Sequence, residues 1–181
     1  MPYTVTPTNL SEVLILEPQV FGDDRGFFFE SFSQYDFQQA TGLDVIFVQD
    51  NHSKSNKGVI RGLHYQIKHP QGKLVRVTLG TVFDVAVDLR RSSPNFGKWV
   101  GTELSAENKR QLWVPPGFAH GFLSTSEVVD FEYKCTDYYD ANDEGCIHWN
   151  DPLLQIDWPS GINFIISSKD DAAESFQAQF G

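Results

Sequence analysis

The chain has 181 residues, enough for one domain with a full hydrophobic core and too few for two ordinary ones. A net charge of −10 and a pI near 4.8 repel nucleic-acid phosphate, which argues against a nucleic-acid partner; a phosphate-bearing ligand would need local cations in a cleft. Met1-Pro2-Tyr3-Thr4 has neither a basic flank nor a long apolar stretch, so no secretory signal or membrane span is expected and the cytoplasm is the expected compartment. Cys135 and Cys146 have no Cys-x-x-Cys spacing and read as small core or surface residues.

Short apolar segments separated by turn residues predict strands over 13–16, 27–32, 45–48, 74–79, 82–89, 98–104, 111–114, 120–123 and 128–135. Ser33 resembles a helix cap and Gly42 a stop, which allows about two turns between them; a second short helix is expected around 170–176. Leu79-Gly80-Thr81 reads as the turn of a hairpin joining Val75/Val77/Leu79 to Phe83/Val85/Val87/Leu89, with Asp84 and Asp88 on the opposite face. Many short strands with few helices predict an all-β sandwich or jelly-roll barrel, a form that holds ligands in its mouth or interior.

Phe27-Phe28-Phe29 makes both faces of its strand apolar. One face is expected in the core and the other against a second subunit, which predicts a homodimer; the alternative buries both faces within one chain.

In Val59-Ile60-Arg61-Gly62-Leu63-His64-Tyr65-Gln66 a guanidinium and an imidazole sit in what otherwise reads as a buried strand. Desolvating an unpaired cation is costly, so Arg61 should have an anionic partner, from the protein or from a ligand. Strict alternation puts residues 61 and 64 on opposite faces, and Gly62 between them is the residue type that allows a bulge to re-aim one. Lys73 opens the next strand on the Val75/Val77/Leu79 face, adding a second cation; its ordinary reading is a strand-end residue reaching solvent.

Pro116-Gly117-Phe118-Ala119-His120 lies within a Pro-x-Gly-x-x-His pattern that resembles the second signature of the cupin barrels, whose histidine usually binds a metal. The first signature needs a His-x-His pair and a Glu, and this chain offers His64 followed by Tyr65 and Gln66. No metal is expected, and the pocket is left to work by acid-base and electrostatic means.

Val20-Phe21-Gly22-Asp23-Asp24-Arg25-Gly26-Phe27-Phe28-Phe29-Glu30, Val48-Gln49-Asp50-Asn51-His52-Ser53, Arg61-Gly62-Leu63-His64, Gly72-Lys73-Leu74-Val75-Arg76, Pro116-Gly117-Phe118-Ala119-His120-Gly121-Phe122 and Ser168-Lys169-Asp170 recur in order over about residues 13–171. Together they resemble the dTDP-4-dehydrorhamnose 3,5-epimerases of deoxysugar biosynthesis. One departure is Glu174, where the family usually has a proline. The resemblance implies a single cupin-like jelly-roll domain over 1–181 with a few short helices, a dTDP-sugar substrate and no cofactor.

It also implies roles. His64 is the base, Asp170 its orienting partner, Lys73 the enolate stabiliser and Tyr133 the acid. Arg25, Arg61, Asn51 and Lys169 correspond to positions around the sugar and diphosphate. Glu30, Gln49, Asp50 and Glu144 resemble further substrate contacts, Tyr139 the thymine-stacking aromatic, and His120 a pocket wall. Glu30 alternates with Phe28, which in a dimer would turn it to the neighbouring subunit's site. The readings that compete with this are a mono-epimerase, a non-catalytic sugar-nucleotide-binding barrel and a cupin that uses a metal.

Overall fold

A computed structural model of the chain describes residues 3–181; Met1 and Pro2, part of the segment expected to carry no secretory signal, lie outside the described residues. In chain order the elements are β1 (Tyr3–Pro7), β2 (Leu14–Pro18), β3 (Phe21–Asp23), β4 (Gly26–Phe28), α1 (Gln34–Thr41), β5 (Gln49–Asn56), β6 (Val59–Gln66), β7 (Lys73–Leu79) and β8 (Thr81–Asp88). There follow β9 (Trp99–Ser105), β10 (Gln111–Val114), β11 (Phe118–Ser124), β12 (Val128–Cys135), β13 (Glu144–Cys146), β14 (Ile165–Ile166), α2 (Ser168–Asp171) and α3 (Phe176–Phe180).

Two sheets face each other. One has the order β1-β2-β10-β7-β12-β5 and the other β13-β6-β11-β8-β9, with β14 added to β6. Between them lie Val75, Val77, Val82, Ala86, Phe118, Phe122, Val129 and Phe131, all buried. This is the expected cupin-like jelly roll. The outer face of the first sheet is covered by α1 and its flanks, packing Phe37 and Phe47 on Trp113. The outer face of the second is covered by the C-terminal segment, which brings Trp158 and Phe176 onto Val85, Val87 and Ile147.

Helix α1 is capped as read: Ser33 accepts from Asp36 N–H, and Gly42 closes the helix at φ 71°. The second helix is split. Ser167 caps α2 and Ser175 caps α3, while Glu174 between them bridges to Ile147.

Four expectations need correction. The turn at Gly80 is a corner and not a hairpin, because β7 pairs β10 and β12 while β8 pairs β11 and β9 in the other sheet. Gly80 sits at φ 81°, where a Cβ would lie 2.2 Å from the Val128 carbonyl oxygen. Residues 45–48 form no strand: the Gln34 side chain takes the Val45 carbonyl and the Phe47 N–H, and the strand begins at Gln49. The phenylalanine-rich strand ends at Phe28, and its hairpin with β3 leaves Phe27 and Phe28 each 64% exposed, so neither face of it enters the core. Arg61, expected in a buried run, is exposed, and within the protein it donates to the neutral Ser55 Oγ and Lys54 carbonyl.

Candidate functional site

The mouth of the barrel holds a cleft of about 320 Å³ lined by Gln49, Asn51, His64, Tyr65, Gln66, Gln71, Lys73, Tyr133, Tyr139 and Glu144. Three strands of the first sheet make one wall. In register, Tyr133 faces Asn51 on β5 and Cys135 faces both Gln49 on β5 and Lys73 on β7. Directly opposed residues of a ladder share a face, so the alternation that buries Val129 and Phe131 also turns Tyr133, Asn51, Gln49 and Lys73 inward.

The other wall is β6. Its pairing with β11 sets His64 against His120 and Arg61 against Phe122, three residues of β6 spanning two of β11. His120 and Phe122 share a face, so Arg61 and His64 do too. The extra residue at Gly62-Leu63 is the bulge that the glycine allowed. Gly62 lies at φ 119°, and a Cβ there would come within 2.7 Å of the His120 carbonyl oxygen, so the site needs glycine.

Asp170 reaches this wall from more than a hundred residues away because β14 runs parallel to β6, Ile165 against Val59 and Ile166 against Ile60. The chain then turns into α2, where Ser167 caps the Asp170 N–H at 3.1 Å. The buried Asp170 Oδ1 lies 2.8 Å from His64 Nε2, and its Oδ2 accepts from Gly62 N–H at 3.3 Å. Burial opposes ionisation of Asp170, but the His64 contact and the Gly62 N–H outweigh it and hold the carboxyl below its usual range.

Desolvation pulls the half-buried Lys73 below the ordinary lysine range, against the upward pull of Cys135, Asp84 and Glu144. Burial pushes the Tyr133 phenol up to about 12 and the Cys146 thiol up to about 12. Beneath the cleft His120 Nε2 meets both oxygens of Asp84 at 2.9 and 3.0 Å, with both side chains buried. Burial pushes the Asp84 carboxyl up, against the pull of His120 and Lys73.

Towards solvent, Tyr139 N–H donates to Gln49 Oε1 at 2.9 Å and its hydroxyl to Glu144 Oε2 at 3.0 Å; Lys169 pairs with the same Glu144 oxygen. Three anticipated residues are not brought here. Arg25 sits at the turn of the β3–β4 hairpin, paired with Asp23. Glu30 follows that hairpin on the way to α1, near Tyr3 and Asp36. Asp50 points to the outer face of its sheet, 2.8 Å from Lys134 Nζ.

Sequence reading left Gln66, Gln71, Asp84 and Cys146 without a role. Asp84 carried a signal, an acid within an otherwise apolar strand whose burial demands a partner. The glutamines carried none: Gln66 bonds the Asp140 N–H and carbonyl, and Gln71 the Asp137 carbonyl, contacts made only by the fold.

The family model described as dTDP-4-dehydrorhamnose 3,5-epimerase matches residues 7–178. The chain belongs to this family. The epimerase of that name from Pseudomonas aeruginosa is 61% identical over 171 residues, 94% of each chain, and that from Salmonella typhimurium 59% over 170 residues, 93% of each. Among solved structures, a dTDP-6-deoxy-D-glucose-3,5-epimerase from Legionella pneumophila in complex with dTDP-4-keto-L-rhamnose superposes with a TM-score of 0.93. It is 54% identical, and the match covers 96% of this chain and 92% of that one. The family's placement at sugar nucleotides accords with a cleft that is polar on both walls.

Proposed function

We propose that the chain is a dTDP-4-dehydrorhamnose 3,5-epimerase, inverting C3 and C5 of dTDP-4-keto-6-deoxy-D-glucose to give dTDP-4-dehydro-L-rhamnose for dTDP-L-rhamnose synthesis. The observation that carries this reading is the 2.8 Å His64–Asp170 pair in a cleft whose opposite wall presents Tyr133 and Lys73.

Inversion beside a ketone needs a proton removed from one side of the ring and returned from the other, with the enolate held between. Asp170 fixes the proton on His64 Nε2, which leaves the Nδ1 lone pair to take the substrate proton, and it stabilises the imidazolium that results. Tyr133 comes from the facing sheet. With its phenol pushed up to about 12 it keeps its proton at neutral pH and serves as the acid. Lys73, on the same sheet as Tyr133, donates to the developing enolate oxygen. Both carbons flank one carbonyl, so one set of groups serves both.

Arg61 and Lys169 supply cations for the diphosphate, Tyr139 a face for the base, and Gln49, Asn51, Glu144 and His120 the remaining polar wall. Nothing in this scheme calls for a metal or cofactor.

The reading includes a homodimer. Phe21, Phe27 and Phe28 are exposed together on the β3–β4 hairpin, and a second copy covering them would take Arg25 and Glu30 to the neighbouring cleft. It also includes a cytoplasmic location; no described helix is long and apolar enough to cross a membrane.

The test is incubation with dTDP-4-keto-6-deoxy-D-glucose in deuterated water, followed by NMR. Deuterium at both C3 and C5 is expected. Label at one carbon alone would make the chain a mono-epimerase, and none at either, with binding retained, would make it a non-catalytic barrel.

A further inference from the structure

Cys146 has no part in the chemistry above, yet it sits beside its centre. The antiparallel pairing of β13 with β6 sets Cys146 directly opposite His64, so the two side chains share a face. Its Sγ lies 3.9 Å from Asp170 Oδ1. His64, Cys146 and Asp170 each offer one ligand atom, and the three atoms lie within 4.8 Å of one another.

Imidazole, thiolate and carboxylate are the donors that zinc-class ions take, and hard ions such as magnesium do not select a sulfur. Donors placed tetrahedrally around an ion at about 2.0–2.3 Å stand roughly 3.3–3.8 Å apart. The thiol–carboxylate separation is close to that range, and the His64–Asp170 pair reaches it by opening about half an ångström. The half-buried His64 and Cys146 and the buried Asp170 come from three separate segments of chain, so the fold itself assembles the donors.

We propose that His64, Cys146 and Asp170 form a binding site for a thiophilic divalent cation of the zinc class, and that the bound ion switches the enzyme off. The ion replaces the proton on Nε2. A neutral imidazole bound through Nε2 carries its proton on Nδ1, so the lone pair that takes the substrate proton is gone. Coordination releases the Cys146 thiol proton to solvent, and the Nε2 proton is regained at Nδ1, for a net loss of one proton. Three protein donors leave the fourth position open to the cleft, where water or a substrate oxygen completes the shell. Binding stands on this geometry alone, whereas inhibition rests on His64 being the base.

The experiment uses the full chain freed of metal by chelation, then titrated with Co²⁺ as a spectroscopic probe and with Zn²⁺ in the turnover assay. We expect one Co²⁺ per protomer with a near-ultraviolet thiolate-to-cobalt charge-transfer band, which Zn²⁺ displaces. The band should persist in Cys135→Ser and vanish in Cys146→Ser. Cys146→Ser should keep its basal turnover and need more than about tenfold more Zn²⁺ for half-inhibition, since a first-shell ligand is lost. Absence of the band, or inhibition by Zn²⁺ that is equally strong in Cys146→Ser and the parent, would overturn the site. A band that depends on Cys146 with turnover untouched by bound Zn²⁺ would overturn the switch, and with it the assignment of His64 as base, while leaving the ion site standing.

Discussion

Asp84 grips His120 through both carboxylate oxygens, at 2.9 and 3.0 Å, with the aspartate fully buried and the imidazole 7% exposed. The pair lies on neighbouring strands of the sheet that carries His64, and His120 is the residue in register with His64. Removing one member of such a pair strands the other in a low-dielectric interior. Asp84→Ala should cost about 3–5 kcal/mol of stability, and Asp84→Ala with His120→Phe less than the sum of the two single changes. Urea unfolding of the three variants checks this, and additivity would show that the two groups do not act as a unit.

Asp170→Asn keeps the shape of the His64 contact but lets the imidazole take the wrong tautomer. Turnover should fall by roughly 10²–10⁴-fold with the fold intact, as when an orienting carboxylate is neutralised elsewhere. Circular dichroism and steady-state rates decide it; a variant with parental kcat would remove the orienting role.

The same carboxyl makes a pH prediction for stability. Its folded pKa lies below its unfolded value of about 3.9, so its contribution is fully present above that value and is lost as pH falls through the folded one. As pH falls below about 4 the unfolding free energy of the parent should therefore drop more steeply than that of Asp170→Asn. Parallel slopes in acid denaturant titrations would contradict the linkage.

Tyr133→Phe should lose net inversion more than isotope exchange, because abstraction of the proton needs His64 and not the phenol. Solvent deuterium wash-in and epimer formation, read in one NMR time course, separate the two steps. Equal loss of both would contradict a purely acid role.

The alkaline limb of the rate profile should belong to Lys73. Its ammonium titrates below the ordinary lysine value of about 10.4 because burial disfavours its charge, whereas Tyr133 holds its proton up to about 12. Lys73→Arg should move that limb upward in whatever activity it retains, and Tyr133→Phe should leave the limb in place.

Much of this was legible from residue order. The cap at Ser33, the stop at Gly42 and the strand over 128–135 follow from local rules, and the structure has each of them. The Gly80 corner was not legible, because a strand that pairs with its successor and one that turns into the facing sheet show the same period-two pattern. Strand β5 escaped notice for a different reason. Its inward row, Gln49, Asn51, Ser53 and Ser55, is polar throughout, the first two lining the cleft and Ser55 accepting from Arg61, and hydrophobic alternation cannot reveal a strand whose inward face is polar. The partner of His64 was anticipated only through family likeness, since nothing local to Asp170 announces a parallel strand delivering it to Gly62 and His64.

Asp170 follows His64 by 106 residues. A ribosome adding about 5–20 residues per second needs roughly 5–20 s to cover that interval. For those seconds the emerging chain has its imidazole but no carboxylate to orient it, and the second sheet lacks the segment that closes over its outer face. The carboxylate that meets His64 and the segment that seals the second sheet therefore arrive together, after strands β1–β13 have been made, so a chain that stalls before residue 170 lacks both.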